Sequence, residues 1–224
     1  MKIAVLDDYT DAFRTTPSYA RFAGHEVIVY RDTVRDLPQL AARLVAVDGV
    51  VLTQERTALR RALIEQLPNL KVVAQTGSHR GHLDIDACTE RGIVICTASA
   101  GVKAYSTSEL TWGLILSSVR QIPHEVEQFR QGRWQTTIGT ELHGKTLGVY
   151  GLGKIGGWVA AVGKAFGMRV SCWGREGSKA RGRELGYEVP ASRTEFFGGA
   201  DVLTLHLYYD ESTRGIVTLS LIHI

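Results

Sequence analysis

Thr146-Leu147-Gly148-Val149-Tyr150-Gly151-Leu152-Gly153-Lys154-Ile155-Gly156 is the stretch from which the fold can be read. Leu147, Val149 and Tyr150 spell a short buried strand. From Gly151 the pattern becomes that of a helix carrying Val159, Val162 and Phe166, ended by Gly167. Glycines at 151, 153 and 156 between a strand and a helix form the fingerprint of a dinucleotide-binding turn. The first permits the tight turn, the second lets the backbone approach a pyrophosphate, and the third lets helix and strand pack closely. The helix start adds unpaired N–H groups and the positive end of its dipole. Arg169 to Trp173 reads as the next strand, which makes a strand–helix–strand unit and argues against a glycine turn without a ligand.

Downstream, the end of that second strand carries Gly174 and Arg175. An acid about 20 residues past such a fingerprint holds the ribose 2′-hydroxyl of NAD. A guanidinium beside a small residue suits a 2′-phosphate instead, which gives a slight preference for NADP. Glu176, one step on, leaves ribose binding open. Lys179 to Leu185 reads as a helix, Tyr187 to Val189 as a strand and Ser192 to Phe197 as a short helix. Ala200 to Leu207 reads as a strand whose carboxyl end points at the coenzyme. His206 there is either catalytic or a hydrogen-bonded structural histidine.

Upstream, short apolar runs alternate with helical patterns. Strands are expected at Lys2–Leu6, Glu26–Tyr30, Gly49–Leu52, Lys71–Gln75 and Ile93–Cys96, and helices at Ala12–Phe22, Leu37–Val45, Ala58–Leu67 and Asp84–Arg91. This alternation predicts a doubly wound parallel α/β sheet. Gly24 would end the first helix, Thr57 would cap the third, and Asp84 or Asp86 the fourth. No phosphate fingerprint occurs in this half. The polar loop Gln75-Thr76-Gly77-Ser78-His79-Arg80-Gly81-His82-Leu83-Asp84 follows a strand, where open sheets bind ligands. Backbone N–H groups of Gly77 and Ser78, with Arg80, would hold a carboxylate. An ordinary surface connection is the other reading. His79 and His82 have no companions for a metal site.

Leu110 to Leu116 is apolar on nearly every face, the pattern of a helix buried between domains, with Ser106 or Thr107 near a capping box with Glu109. Pro123 opens an amphipathic helix with Val126 and Phe129, and Trp134 reads as packing. The crossing between domains is placed near Ala100. The formal charge of +3 arises from 26 basic against 23 acidic residues without a basic run, which argues against nucleic acid. Three separated cysteines, Cys88, Cys96 and Cys172, read as buried reduced thiols. The amino terminus starts at once with a strand, no run suits a bilayer, and the cytoplasm is the expected compartment.

Residues 144–156 resemble the D-isomer-specific 2-hydroxyacid dehydrogenase family, in its phosphoglycerate dehydrogenase-like branch. Ser108-Glu109-Leu110, Arg120-Gln121-Ile122-Pro123, Phe166-Gly167-Met168 and Ser212-Thr213-Arg214-Gly215-Ile216-Val217 carry the same resemblance. It implies a flavodoxin-like substrate domain over residues 1–100 and an incomplete Rossmann NAD(P)-binding domain over 101–218. It also implies a homodimeric parent that moves a hydride between nicotinamide and C2 of a small 2-hydroxy or 2-oxo acid. Ser78 then contacts the coenzyme and, with Gly77, the substrate carboxylate. Lys154 and Ile155 lie on the pyrophosphate turn, and His206 and Leu207 flank the coenzyme.

The family's catalytic Arg, Glu and His are expected downstream of these 224 residues, and Arg214 is not that arginine, so the chain reads as an inactive fragment. Its loop Ser78-His79-Arg80-Gly81 and its Gly174-Arg175 depart from the family wording. Residues 219–224, Leu-Ser-Leu-Ile-His-Ile, read as a non-native tail, being what CTG-TCT-CTT-ATA-CAC-ATC, a transposon end used in sequencing libraries, would encode. A short natural strand is the alternative. A non-enzymatic NAD(H)-sensing protein of the corepressor type is the competing function.

Overall fold

Two parallel sheets organise the chain, a computed structural model of which describes residues 1–98 and 105–222. The chain divides into the units Met1–Val102 and Lys103–Ile224. The crossing expected near Ala100 lies outside the described residues.

In the first unit, β1 (Lys2–Leu6), β2 (Glu26–Val29), β3 (Gly49–Leu52), β4 (Val72–Gln75) and β5 (Val94–Thr97) pair in the order β2-β1-β3-β4-β5. Between them run α1 (Ala12–Thr15), a 3-10 turn at Pro17–Phe22, α2 (Leu37–Leu44), α3 (Arg61–Ile64) and α4 (Ile85–Glu90). All pairings are parallel, and the inner strands β1 and β3 are covered on both faces and read as apolar runs. Leu6, Val50, Leu52 and Val73 join Leu44, Leu63, Ile64 and Leu67 in one core.

Three expectations are corrected here, and one choice between two residues is resolved. The helix expected over Ala12–Phe22 breaks at Thr16-Pro17, because proline lacks an N–H and holds the residue before it extended (Thr16 φ −73°, ψ 142°). The third helix begins only at Arg61, and Thr57 does not cap it; the Thr57 hydroxyl donates to Asp7 Oδ2 at 2.7 Å. Of the two candidate caps for α4, Asp84 serves, accepting from the Ala87 N–H at 2.9 Å. Cys96 is exposed on the edge strand β5, while Cys88 and Cys172 are buried.

In the second unit, α5 (Tyr105–Val119) and α6 (Ile122–Arg130) precede β6 (Thr146–Tyr150), α7 (Lys154–Ala165), β7 (Arg169–Trp173), α8 (Glu176–Glu184), α9 (Arg193–Gly198), β8 (Val202–Leu205) and α10 (Leu219–Ile222). The sheet order is β7-β6-β8, with β6 buried along its whole length. The strand expected at Tyr187–Val189 is reduced to one bridge between Glu188 and Ser171. β8 is shorter than expected, so His206 and Leu207 lie in the loop after it.

Ser106 and Thr107 fall inside α5 rather than at a cap. That helix buries Ser108, Trp112 and Ile115, whereas Leu110 and Leu114 are each 63% exposed, against the all-round burial expected. The side facing α7 is packed, and there Trp112 Nε1 donates to the Val159 carbonyl at 3.3 Å. Leu219–Ile222 forms a helical turn rather than a strand, with Leu221 packed beside Tyr150, Phe196 and Phe197; His223 and Ile224 are outside the described residues. No helix among the described residues is long and apolar enough to cross a membrane.

Candidate functional site

The direction of winding reverses between β6 and β8, and it is at the carboxyl ends of strands at such a point that open sheets bind ligands. β6 ends at Tyr150 and the chain turns at Gly151, whose φ of +97° favours glycine. The Gly151 N–H donates to the Trp173 carbonyl at 2.8 Å, and a Cβ at Gly151 would sit 2.7 Å from the His206 carbonyl oxygen. At Gly156 a Cβ would fall 2.1 Å from the Gly151 carbonyl oxygen, so helix and turn approach closely only because that position is glycine.

Gly153 differs from both. It is the N-cap of α7, its φ of −82° suits any residue, and a Cβ there would meet nothing within 4 Å. The space before the helix is open. Gly157 N–H donates to the Gly153 carbonyl at 2.9 Å as the first helical bond, so the N–H groups of Lys154, Ile155 and Gly156 precede the ladder. No side chain caps this 12-residue helix. The Leu152 N–H is claimed by Ser178 Oγ at 3.3 Å, a contact that no spacing rule pointed to. An open cradle of helix-start amides fits a dinucleotide diphosphate.

Around this turn the structure brings together Gly174, Arg175, His206 and Leu207. Gly174 (φ +152°) packs against Ser178, where a Cβ would be 3.0 Å from the Ser178 side chain. Arg175 caps α8 and is exposed, with Nη2 3.3 Å from Ser212 Oγ and 3.8 Å from Asp210 Oδ2. Glu176, the other candidate for the ribose, is paired with Lys179 at 3.0 Å, and the Lys179 ammonium lies 4.0 Å from the Trp173 ring centroid. The His206 N–H donates to the Tyr150 carbonyl at 2.8 Å. Its ring Nε2 is buried with no hydrogen-bond partner, which departs from a hydrogen-bonded structural ring. Burial pushes the imidazole pKa down, so the ring is neutral at pH 7. Leu207 packs on the cluster of Tyr150 and Phe196.

The first unit has its own concavity at the carboxyl ends of β3 and β4. A cavity of about 410 Å³ is lined by Gln54, Glu55, Arg56, Gln75, Gly77 and His79. Gly77 is thus at the wall, while Ser78 and Arg80 are exposed and not among the lining residues. Arg56, which the sequence reading passed over, is held in place: Nη1 donates to the Asp7 carbonyl at 2.6 Å and its guanidinium lies 4.6 Å from the Tyr9 ring centroid. The buried Asp7 carboxylate accepts from Thr33 at 2.6 Å and Thr57 at 2.7 Å. Gln75 Nε2 donates to the Gln54 carbonyl at 2.7 Å, and its Oε1 lies 3.2 Å from His82 Nε2. Burial lowers the His82 pKa, and its Nδ1 has no partner. The available signal was the polar run Thr53-Gln54-Glu55-Arg56 directly after an apolar strand. No group of three or more His, Cys, Asp or Glu suited to a metal occurs among the described residues.

Comparison with known proteins converges on one family. The sequence model for "D-isomer specific 2-hydroxyacid dehydrogenase, NAD binding domain" matches residues 112–223. The chain is 35% identical over 170 residues to D-3-phosphoglycerate dehydrogenase of Methanocaldococcus jannaschii, covering 75% of this chain and 32% of that protein. It is 35% identical over 164 residues to glyoxylate reductase of Aeropyrum pernix, covering 69% of this chain and 48% of that one. It therefore spans about a third to a half of the length of these relatives. The crystal structure of a phosphoglycerate oxidoreductase from Vibrio cholerae superposes with a TM-score of 0.93 at 41% identity, over 100% of this chain and 71% of that one.

Proposed function

The chain belongs to the D-isomer specific 2-hydroxyacid dehydrogenase family, and from that premise we propose that it is the coenzyme-holding part of an NAD(P)-dependent oxidoreductase acting on a small 2-hydroxy or 2-oxo acid. The observation that carries the reading is the uncapped start of α7 behind Gly151 and Gly153. When bound, a nicotinamide coenzyme supplies or accepts the hydride at C2 of the acid. The amides of Lys154, Ile155 and Gly156 hold the diphosphate, and Gly151 and Gly156 keep turn and helix close enough for those amides to converge. His206 and Leu207 bound the turn from the β8 side. Arg175 meets the adenosine ribose and favours a 2′-phosphate there, which makes NADP the slightly preferred form.

In the first unit, Gly77 and Arg56 at the cavity wall supply the donors for an acidic substrate, and Ser78 joins them only from the exposed loop beside it. A homodimeric parent is supported by the apolar groove of about 480 Å³ between α5 and α7, lined by Trp112, Leu116, Trp158 and Phe166, and by the exposed Leu110 and Leu114. The cytoplasm suits a chain whose cysteines are all free.

Titration of the purified chain with NADH and NADPH tests the reading, followed by an assay against glyoxylate, hydroxypyruvate and phosphohydroxypyruvate. Binding of both coenzymes without turnover is expected. Arg175→Asp should move the NADPH-to-NADH affinity ratio toward NADH by at least tenfold. An unmoved ratio would remove Arg175 from the site, and absence of binding at millimolar coenzyme would end the reading.

A further inference from the structure

The loop after β8 sets an acid against the Arg175 guanidinium, the group read above as meeting the ribose. Arg175 stands at the carboxyl end of β7 with its side chain 79% exposed, and its Nη2 faces Ser212 Oγ and Asp210 Oδ2 of the turn Asp210-Glu211-Ser212-Thr213. The Asp210 carboxylate divides its work between its oxygens. Oδ1 accepts from Ser212 N (2.9 Å), Ser212 Oγ (2.5 Å) and Thr213 N (3.1 Å), which builds the turn. Oδ2 takes no part in those bonds and lies 3.8 Å from Arg175 Nη2. Glu211, the other acid of the turn, is paired with Arg214 at 3.7 Å and faces a different cation. The Ser212 hydroxyl and the turn's N–H groups hold the Asp210 carboxyl below the usual carboxylate range, so it is charged at neutral pH.

A 2′-phosphate seated on Arg175 would therefore meet a carboxylate that already faces the same guanidinium. Resting on the coenzyme reading above, we propose that Asp210 is a specificity-determining residue that opposes Arg175. It occupies the guanidinium in the coenzyme-free chain and repels the 2′-phosphate that Arg175 attracts, so the chain accepts both NADH and NADPH instead of selecting the phosphorylated form strongly. A guanidinium prefers phosphate to a single exposed carboxylate oxygen because it can offer a bidentate pair of N–H groups, so the opposition is partial.

The test is Asp210→Asn, which keeps the Oδ1 acceptor that builds the turn and removes the charge at the Oδ2 position. Affinities for NADH and NADPH are measured by fluorescence titration at about 50 mM and about 500 mM salt. The NADPH-to-NADH affinity ratio should rise about two- to fivefold at low salt, the scale expected of an exposed charge pair, and by less at high salt. In an Arg175→Ala background the same substitution should leave the ratio unchanged. An unchanged ratio in Asp210→Asn, with both coenzymes still bound, would overturn the inference while leaving the coenzyme reading intact. An equal rise in the Arg175→Ala background would also overturn it. A parent chain that binds neither coenzyme would overturn both.

Discussion

The two units begin with the same device and end their first strands in opposite ways. In each, an aspartate just before the third pairing strand locks the first strand. Asp48 accepts from Lys2 N–H at 2.8 Å, donates its own N–H to the Lys2 carbonyl at 2.8 Å, and holds Lys71 at 2.7 Å. Asp201 accepts from Thr146 N–H at 2.8 Å, donates to the Thr146 carbonyl at 3.0 Å, and holds Lys145 at 3.3 Å. At the far ends the backbones also turn alike, with φ +58° at Asp7 and +97° at Gly151.

The side chains then diverge. After β1, Asp8 gives both carboxylate oxygens to the N–H groups of Ala12 and Phe13 (3.0 and 2.8 Å), and the helix it starts has four residues. After β6, Gly153 gives nothing, and the helix runs for 12 residues. One unit saturates its helix start with its own anion, whereas the other leaves those amides for a foreign one. A shared fold therefore says little about the ligand, which depends on which polar groups the local side chains leave unsatisfied.

The strongest way to break this comparison is Gly156→Val. With backbone oxygen 2.1 Å from the new Cβ, the second unit should lose about 4 kcal/mol, the upper range for one substitution, together with coenzyme binding. Hydrogen exchange in β1, β3 and β4 should be unchanged. Simultaneous loss of protection in both sheets would show that the units do not fold independently.

Next in size is the contrast between cores. Leu52, with no exposed surface, should cost about 2–5 kcal/mol as Leu52→Ala, while Leu205→Ala on β8, 49% exposed, should stay within about 0.5 kcal/mol by denaturant melting. Equal costs would mean that the β8 face is covered in solution.

The smallest effect concerns the shared aspartates. Lys71 holds the Asp48 pKa down, and the Thr146 N–H holds that of Asp201 down. A depressed folded-state pKa contributes stability that is complete above the unfolded value and is lost as pH falls through the folded one. Both units should therefore soften below about pH 4. Asp48→Asn and Asp201→Asn should each flatten that acid slope in their own unit; a slope unchanged in the double variant would exclude the device as its source.

What the sequence disclosed follows the range of the forces involved. Gly151 and Gly156 are legible because their constraints are local, set by φ and by a helix one turn away. The strands are legible because buried parallel strands are apolar throughout. Thr57 misleads because its partner Asp7 is 50 residues away. Ser178, which takes the Leu152 N–H, is 26 residues away and equally silent. Cys96 and Leu110 read as buried in the sequence but are exposed, because apolar periodicity identifies a face without telling whether anything covers it. Arg56 was missed because a lone arginine in a polar run has no motif until Asp7 and Tyr9 fix it.

Coenzyme titration of Gly153→Asp beside the parent chain puts the account at most risk. The position accepts a side chain without strain, and an aspartate at this N-cap would accept N–H bonds at the start of α7, as the Asp8 carboxylate does at the start of α1. The variant should be as stable as the parent, or more stable by about a few tenths of a kcal/mol, with affinity for NADH and NADPH reduced on the order of 100-fold. Undiminished binding of both coenzymes to the folded variant would contradict the account.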